Sequence, residues 1–330
     1  ESMLADNERY KLLGWVTDTQ YCFPDNESEG RKHIVNLGSI MSENVDRTFY
    51  ACYIKELVTD SVTDPNLFNF EGPITYTDQY DNATYGIVQG YNINPRAGIT
   101  LKGKITIPGE YNGLPVFELS GITGQTELTH IYFQKPENMR RFRSMSANTG
   151  LKYIDWPSGL REIYGQCFQD CYSLRAPDGL KNTKLAMISN NAFQGAFDAS
   201  LGGITLFQLP GTIRNIGELG CANIHAGGVD LPNGHYRIET VSFGGPDDPC
   251  RNFSFDTMAD ARIFQQKSLR DWLLPPGAST NTPIKAFKFY RPAGATYPSQ
   301  EDFEAFVEST RVLGSGQAVL EISVIDADIS

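Results

Sequence analysis

Short runs in which apolar and polar residues alternate recur along most of the chain. The runs Leu128–Phe133 and Leu151–Trp156 both read apolar-x-x-apolar-x-apolar, and they begin 23 residues apart. Because the side chains of a strand alternate between its two faces, this pattern predicts short strands with Ile154 and Trp156 inward and Tyr153 outward. The pattern returns later in the chain at Ile204–Leu209, Ile238–Phe243, Leu269–Leu274 and Ile284–Phe289.

A second motif follows two of these runs. Pro157–Ile163 and Pro210–Ile216 share the sequence P-x-x-[LI]-R-x-I, and Phe168 and Phe193 stand at matching places a few residues after an Ile. Proline ends a strand ladder because it has no N–H to donate. Each unit is therefore predicted to be a short strand, a turn that begins with Pro, a second short strand and a Phe anchor.

No unit of this kind can bury its apolar face alone, so such units stack on one another. The sequence thus predicts a mainly β protein whose core is a solenoid. The inward residues of successive units should then form buried columns. We expect one column of Ile131, Ile154, Phe207 and Val241, and a second of Phe168 and Phe193.

These units resemble a known repeat family. Leu151–Ser173 is similar to the BspA-type leucine-rich repeat, whose pattern is roughly L-x-x-I-x-I-P-x-x-L-x-x-I-x-x-x-A-F-x-x-C. The upstream stretch Tyr91–Phe117 resembles the entry segment of that family. The resemblance covers about residues 85–310. It implies a leucine-rich-repeat β-solenoid, which we assign to residues 85–313.

The N-terminal part resembles a different family. Tyr10–Asp18 and Asp46–Tyr53 are similar to the internalin B-type (Listeria–Bacteroides) repeat, in which G-Y-x-F-x-G-W-x-x-D precedes D-x-T-L-Y-A-x-W. Only nine residues precede the first of these segments, where the family has its first strand. We therefore expect a truncated module from a longer parent chain. The resemblance implies a small β module over residues 1–55, and we expect Trp15 and Tyr50 to lie in its core.

The remaining segments complete the predicted domain organisation. Residues 56–84 contain Thr-Asp and Asp-Pro pairs, which favour turns, and are interpreted as a linker. Ser299 and Asp302 have the spacing of a capping box, and apolar residues follow from Phe303 at helical spacing. A short C-terminal helix is therefore predicted to cap the last coil. Residues 314–330 are predicted to form a terminal strand and a tail.

Composition and charge narrow the possible partners. Hydrophobic residues make up 40% of the 330 residues and charged residues 20%, which suits a protein with a sizeable core. The net charge is −11, so the mean field of the chain repels nucleic acid and anionic membranes. No apolar run is long enough to span a membrane, and Glu1–Asp6 lacks the features of a signal peptide. We expect no nucleic-acid partner and no membrane insertion.

The residues that carry chemistry form no recognisable catalytic or metal-binding motif. None of the four histidines lies in an H-E-x-x-H sequence, and there is no nucleophile elbow or P-loop. Asp25 begins a stretch like a calcium loop, but Asn36 stands where that loop needs Glu. The six cysteines include no C-x-x-C pair and are predicted to be free thiols, with Cys167 and Cys171 as packing groups. We therefore expect no metal, no cofactor and no enzymatic activity, although a site within the irregular stretch 230–283 stays an alternative.

The two resemblances imply a function. Both families occur mainly on bacterial surface proteins, and phage tail or fibre proteins borrow such modules. We therefore expect an extracellular, non-enzymatic recognition or adhesion module on a bacterial or virion surface that binds a protein or glycan. The outward strand positions that would form its binding face are His130, Tyr132, Tyr153, Asp155, Leu206 and Gln208. The alternative is a purely structural virion or assembly protein that contacts other virion subunits, and homo-oligomers through the parent chain are also compatible with the sequence.

Overall fold

The chain forms two compact units, residues 1–61 and residues 62–330. The computed structural model describes residues 8–22, 33–35, 48–57, 62–175, 177, 179–196, 206–217, 220–221, 240–255, 286–310 and 321–327. Over these residues the fold is mainly β, with a single α-helix longer than one turn. No helix within these ranges is long and apolar enough to cross a membrane. Most of the irregular stretch 230–283 lies outside the described residues.

The first unit contains an antiparallel pair, β1 (Glu8–Val16) and β2 (Tyr50–Leu57). Val16 is fully buried, whereas Trp15 is 42% and Tyr50 36% exposed. The expectation that Trp15 and Tyr50 lie in a small core is therefore wrong. Neighbouring residues of a strand point to opposite faces, so burial of Val16 turns Trp15 outward.

The second unit begins within the segment 56–84, which the sequence analysis interprets as a linker. This segment contains β3 (Phe68–Thr77) and the one-turn helix α1 (Asn82–Tyr85). β3 pairs antiparallel with β4 (Ile87–Pro95). The Asp-Pro pair forms only the short 3₁₀ turn Pro65–Leu67, and a paired strand follows it at once. The Asp-Pro pair therefore predicted the turn at Pro65–Leu67 correctly, but the interpretation of the whole segment as a linker missed β3.

The remaining strands of this unit are short. Their bounds are β5 (Gly103–Ile107), β6 (Glu110–Tyr111), β7 (Leu114–Leu119), β8 (Leu128–Phe133), β9 (Arg141–Phe142), β10 (Tyr153–Ile154), β11 (Glu162–Ile163), β12 (Met187–Ile188), β13 (Leu206–Leu209), β14 (Asn215–Ile216), β15 (Thr240–Phe243), β16 (Ala286–Pro292) and β17 (Glu321–Ala327). The 11-residue helix α2 (Gln300–Thr310) lies between β16 and β17 in the chain.

These strands form three sheets in which most pairs are parallel. The first sheet has the order β5-β8-β10, and the third has the order β13-β15-β16-β17. The second sheet runs β3-β4-β7-β9-β11-β12-β14, with β6 paired to β7. Only the pairs β3–β4 and β6–β7 of these sheets are antiparallel. A parallel arrangement needs a long connection between neighbouring strands, which the repeat length provides.

Repeated units contribute strands to two sheets in turn. β8 and β10 lie in the first sheet, and the strands that follow them, β9 and β11, lie in the second. Ile131 pairs with Ile154, 23 residues later, and Phe142 pairs with Ile163 in the same parallel sense. The 23-residue spacing thus predicted the pairing of β8 with β10 correctly. Backbone hydrogen bonds between paired strands therefore join each of these units to the next.

The core contains the inward residues that the repeat pattern predicts. Ile131, Ile154, Phe207 and Val241 are at most 1% exposed. The rings of Phe168 and Phe193 stack with centroids 5.4 Å apart and an interplanar angle of 9°. The first column is divided, however, because Ile154 lies in the first sheet and Phe207 in the third. All six cysteines are free thiols, and Cys167 and Cys171 are fully buried as predicted.

The C-terminal helix forms where the capping box predicts it. Ser299 Oγ accepts a hydrogen bond from the Asp302 N–H at 3.1 Å, and the Asp302 carboxylate accepts one from the Ser299 N–H at 2.9 Å. Phe303 is fully buried, with its ring centroid 5.7 Å from that of Phe243 and 5.4 Å from that of Phe289. The helix therefore covers an apolar part of the third sheet. Of the predicted terminal segment 314–330, the structure describes β17.

Candidate binding surfaces

Three ring side chains lie together on the outward side of the first sheet. His130 and Tyr132 are two residues apart on β8 and so share a face, and Tyr153 on β10 pairs directly with His130. The ring centroids of His130 and Tyr132 are 6.1 Å apart, those of His130 and Tyr153 5.9 Å, and those of Tyr132 and Tyr153 5.8 Å. We call these three residues the aromatic patch.

The aromatic patch is half-buried, in contrast to the inward residues between its members. Ile131 and Ile154 are 0% and 1% exposed, whereas all three rings keep part of their surface in contact with solvent. Nδ1 of His130 lies 2.9 Å from the hydroxyl oxygen of Thr129. A cluster of rings that is ordered by its own contacts and still accessible is suited to binding a partner.

The other three candidate residues lie in two places. Asp155 lies two residues after Tyr153 and is half-buried, and its backbone N–H donates to the carbonyl of Ile131 at 3.0 Å. Leu206, which is 39% exposed, and Gln208 lie on β13 in the third sheet. The structure therefore brings four of the six predicted residues together near the first sheet and places two on another sheet.

Leu206 and Gln208 border a groove on the third sheet. Its volume is about 220 Å³, and it is lined by alternate side chains of three parallel strands together with the turn at Gly245 and Pro246. Gln208, Ser242 and Lys288 occupy one row across the strands, since Gln208 pairs with Ser242 and Ser242 with Lys288. The strand side chains that line the groove are Leu206, Gln208, Thr240, Ser242, Lys288 and Tyr290.

Four of these groove residues, Thr240, Ser242, Lys288 and Tyr290, are not among the binding residues predicted from the sequence. Thr240 and Ser242 alternate with the buried residues Val241 and Phe243 in one of the repeated runs. Lys288 likewise stands in the last run, between two buried phenylalanines. The period-two signal that located the runs could therefore have identified their outward positions, but not which of them line one groove.

A buried ion pair connects the segment after β3 to the second sheet. Arg161 and Asp78 have side chains that are 1% and 0% exposed. Arg161 Nε donates to Asp78 Oδ2 at 2.5 Å and Nη2 donates to Oδ1 at 3.2 Å. The guanidinium also donates to the carbonyl of Lys184 and lies 3.9 Å from the ring centroid of Tyr85. In the sequence, Arg161 is recognisable only as the Arg of the P-x-x-[LI]-R-x-I motif.

The surroundings lower the pKa of Asp78 and raise the pKa of its neighbour Glu162. Burial by itself would raise the pKa of Asp78, but hydrogen bonds from Arg161 and from the backbone N–H groups of Asp81 and Tyr80 lower it. Burial raises the pKa of Glu162, against the lowering effects of Tyr164 and the nearby arginines. One carboxylate oxygen of Glu162, Oε2, has no hydrogen-bond partner among the described residues. Burial also raises the pKa of Tyr80 to about 12.

Metal-ligating side chains do not cluster in the part of the chain that the structure describes. No group of three or more His, Cys, Asp or Glu residues there could hold a metal ion.

The geometry defines the class of this protein as mainly β, with parallel strands that repeated units contribute in turn. No protein-family model matches the chain, and no curated protein matches it. Among solved structures, it is similar to the crystal structure of a leucine-rich repeat protein of T. pallidum, TpLRR. The two share 19% sequence identity at a TM-score of 0.34, over 60% of this chain and 78% of that one. A TM-score at this level does not assign the chain to that family.

Proposed function

We propose that this protein is a non-enzymatic recognition module on the surface of a bacterium or phage particle. Its repeated units form a solenoid of the leucine-rich-repeat type, and it binds a protein or glycan through the outward faces of its strands. The observation that carries the proposal is the aromatic patch, in which three half-buried rings lie with centroids 5.8 to 6.1 Å apart.

The neighbouring strand extends this face. Lys104 on β5 is exposed and pairs with His130, so an ammonium lies on a position beside the rings, whereas Thr106, which pairs with Tyr132, is buried. Tyrosine supplies a large contact area with few rotatable bonds and a hydroxyl at its tip, which is why it is enriched among the residues that dominate binding energy. A rigid sheet holds these groups in place before the partner arrives, which reduces the entropy lost on binding.

The same contacts favour one alternative. Rings that pack on one another across neighbouring strands stabilise a sheet without any partner. A purely structural role, as a spacer or decoration of a virion, would need nothing more from the aromatic patch. Binding by the purified protein separates the two roles.

The test replaces Tyr132 and Tyr153 by Ser in the full chain. Neither residue is in the core, so the double variant should fold, and binding to a glycan array and a protein array should weaken by about 1–3 kcal/mol. Tyr172→Ser is the matched control, because Tyr172 is 53% exposed and lies outside the patch. Equal binding by the double variant and the native protein would exclude the patch, and absence of binding by both would favour the structural role.

A further inference from the structure

The groove has the size of one sugar ring. Its volume of about 220 Å³ lies below the range of about 300–1,000 Å³ of pockets that hold drug-sized ligands. The row formed by Gln208, Ser242 and Lys288 spans two strand separations, or about 10 Å at about 4.8 Å each. A single ring with its substituents can contact the whole row.

The polar groups of the groove match the hydroxyl groups of a sugar. Ser242 lines the groove although it is only 2% exposed, and its Oγ donates its proton to the carbonyl of Gly244 at 2.8 Å, so a ligand can only donate a hydrogen bond to this oxygen. The carboxamide of Gln208 can donate and accept, and it makes no hydrogen bond with any residue in the described ranges. Tyr290 adds a ring whose face can contact the C–H groups of a sugar.

The charge of the groove points to an acidic sugar. Lys288 is the one charged side chain among the described residues that line it. Its ammonium lies 3.8 Å from a carboxylate oxygen of Glu321, whose side chain is 62% exposed. An exposed pair at this distance is weak, so a ligand carboxylate can take the place of Glu321. Because the whole chain carries −11, the attraction is confined to this ammonium and suits one carboxylate better than a polyphosphate.

We propose that the groove binds one hexuronic acid unit of an acidic saccharide. The carboxylate pairs with Lys288, the ring hydroxyls bond to Gln208 and Ser242, and the ring lies against Tyr290. This assignment rests on the proposed binding function and gives a ligand class to a surface other than the aromatic patch.

Gly245 provides a variant that blocks the groove with little effect on the fold. A methyl group at this position would lie 2.3 Å from Gln208 Nε2, the far end of a flexible side chain. The turn is fixed by other groups, since the Gly245 N–H donates to the carbonyl of Asp248 at 2.9 Å and the Gly244 N–H to that of Leu209 at 3.0 Å. Gly245→Ala should therefore displace the carboxamide into the groove and leave the melting temperature unchanged.

The experiment titrates the full chain with glucuronic and galacturonic acid and their oligosaccharides, and with glucose and galactose, by saturation-transfer NMR and calorimetry. The uronates should bind at least 10-fold more tightly than the neutral sugars, and added salt should lower their affinity. Lys288→Met should remove this preference, and Gly245→Ala should reduce the affinity for uronates at least 10-fold. Gly179→Ala is the matched control, because its methyl group would meet Trp156 at an ordinary 3.4 Å.

The outcomes separate this inference from the proposed function. Retention of uronate binding by the Tyr132→Ser, Tyr153→Ser variant supports the groove. Loss of binding in that variant, with full binding by Gly245→Ala, would overturn the inference while leaving the binding function in place. The inference is also wrong if uronates do not bind, or if neutral sugars bind equally well. It is likewise wrong if Lys288→Met and Gly245→Ala weaken the binding of a protein partner but leave the binding of uronates unchanged.

Discussion

Removing the carboxylate of Asp78 should strongly destabilise the larger unit. Asp78→Ala leaves the guanidinium of Arg161 almost fully buried, with the Lys184 carbonyl and the Tyr85 ring as its remaining contacts among the described residues. It also removes an acceptor for the N–H groups of Tyr80 and Asp81, at 2.9 and 2.6 Å. Breaking one side of a buried pair costs about 3–5 kcal/mol.

That cost is a large fraction of a typical free energy of unfolding, which is about 5–15 kcal/mol. With a shift of about 2–4 °C per kcal/mol for a domain of about this size, the melting temperature should fall by about 6–20 °C. Thermal unfolding followed by circular dichroism, with urea denaturation as a second measure, gives the number. Asp78→Asn keeps an acceptor for the backbone N–H groups and should therefore lose less stability than Asp78→Ala.

A double variant tests the physical reason. Arg161→Met removes the buried cation, so its combination with Asp78→Ala should cost clearly less than the sum of the two single changes. A fall of less than about 2 °C for Asp78→Ala, or strict additivity in the double variant, would refute the argument that the two groups stabilise each other.

The pH dependence of this pair follows from the lowered pKa of Asp78. The folded-state pKa lies below the unfolded one, so the stabilisation is present above the unfolded value of about 3.9 and is lost as the pH falls through the folded value. The difference in stability between the native protein and Asp78→Asn should therefore be largest near neutral pH. It should shrink in acid.

Three further predictions concern the core, a buried acid and the thiols. Phe168→Ala should cost about 3–5 kcal/mol, because the ring is fully buried against Phe193; a shift in melting temperature below a few degrees would contradict this. Glu162→Gln should raise stability at neutral pH and have little effect in acid, because burial raises the folded-state pKa of Glu162 above its unfolded value of about 4.3, and the cost to stability develops as the pH rises through that unfolded value; loss of stability at pH 7 would contradict it. Ellman titration should find six thiols in denaturant, with Cys167 and Cys171 unreactive in the native state because burial raises their pKa, that of Cys171 to about 12; fewer than six would show a disulfide.

Local pattern predicted the parts of this protein that depend on residues a few positions apart. Alternation with a period of two placed Ile131 and Ile154 inward and Tyr132 and Tyr153 outward, and the 23-residue spacing predicted that β8 pairs with β10. The capping box at Ser299 predicted the start of the helix for the same reason, since its two hydrogen bonds join residues three apart. Such signals are strong because the interactions that they report are formed within one element or between consecutive units.

The tertiary structure decided what depends on distant segments. Arg161 lies in a recognisable turn motif, but its partner Asp78 is 83 positions away in a segment interpreted as a linker. The groove joins Gln208, Ser242 and Lys288, whose separation in the chain is set by connections of irregular length. Strand alternation fixes only which face of a strand a side chain occupies; which strands become neighbours, and which buried charge finds its counter-charge, depends on packing that no local pattern encodes.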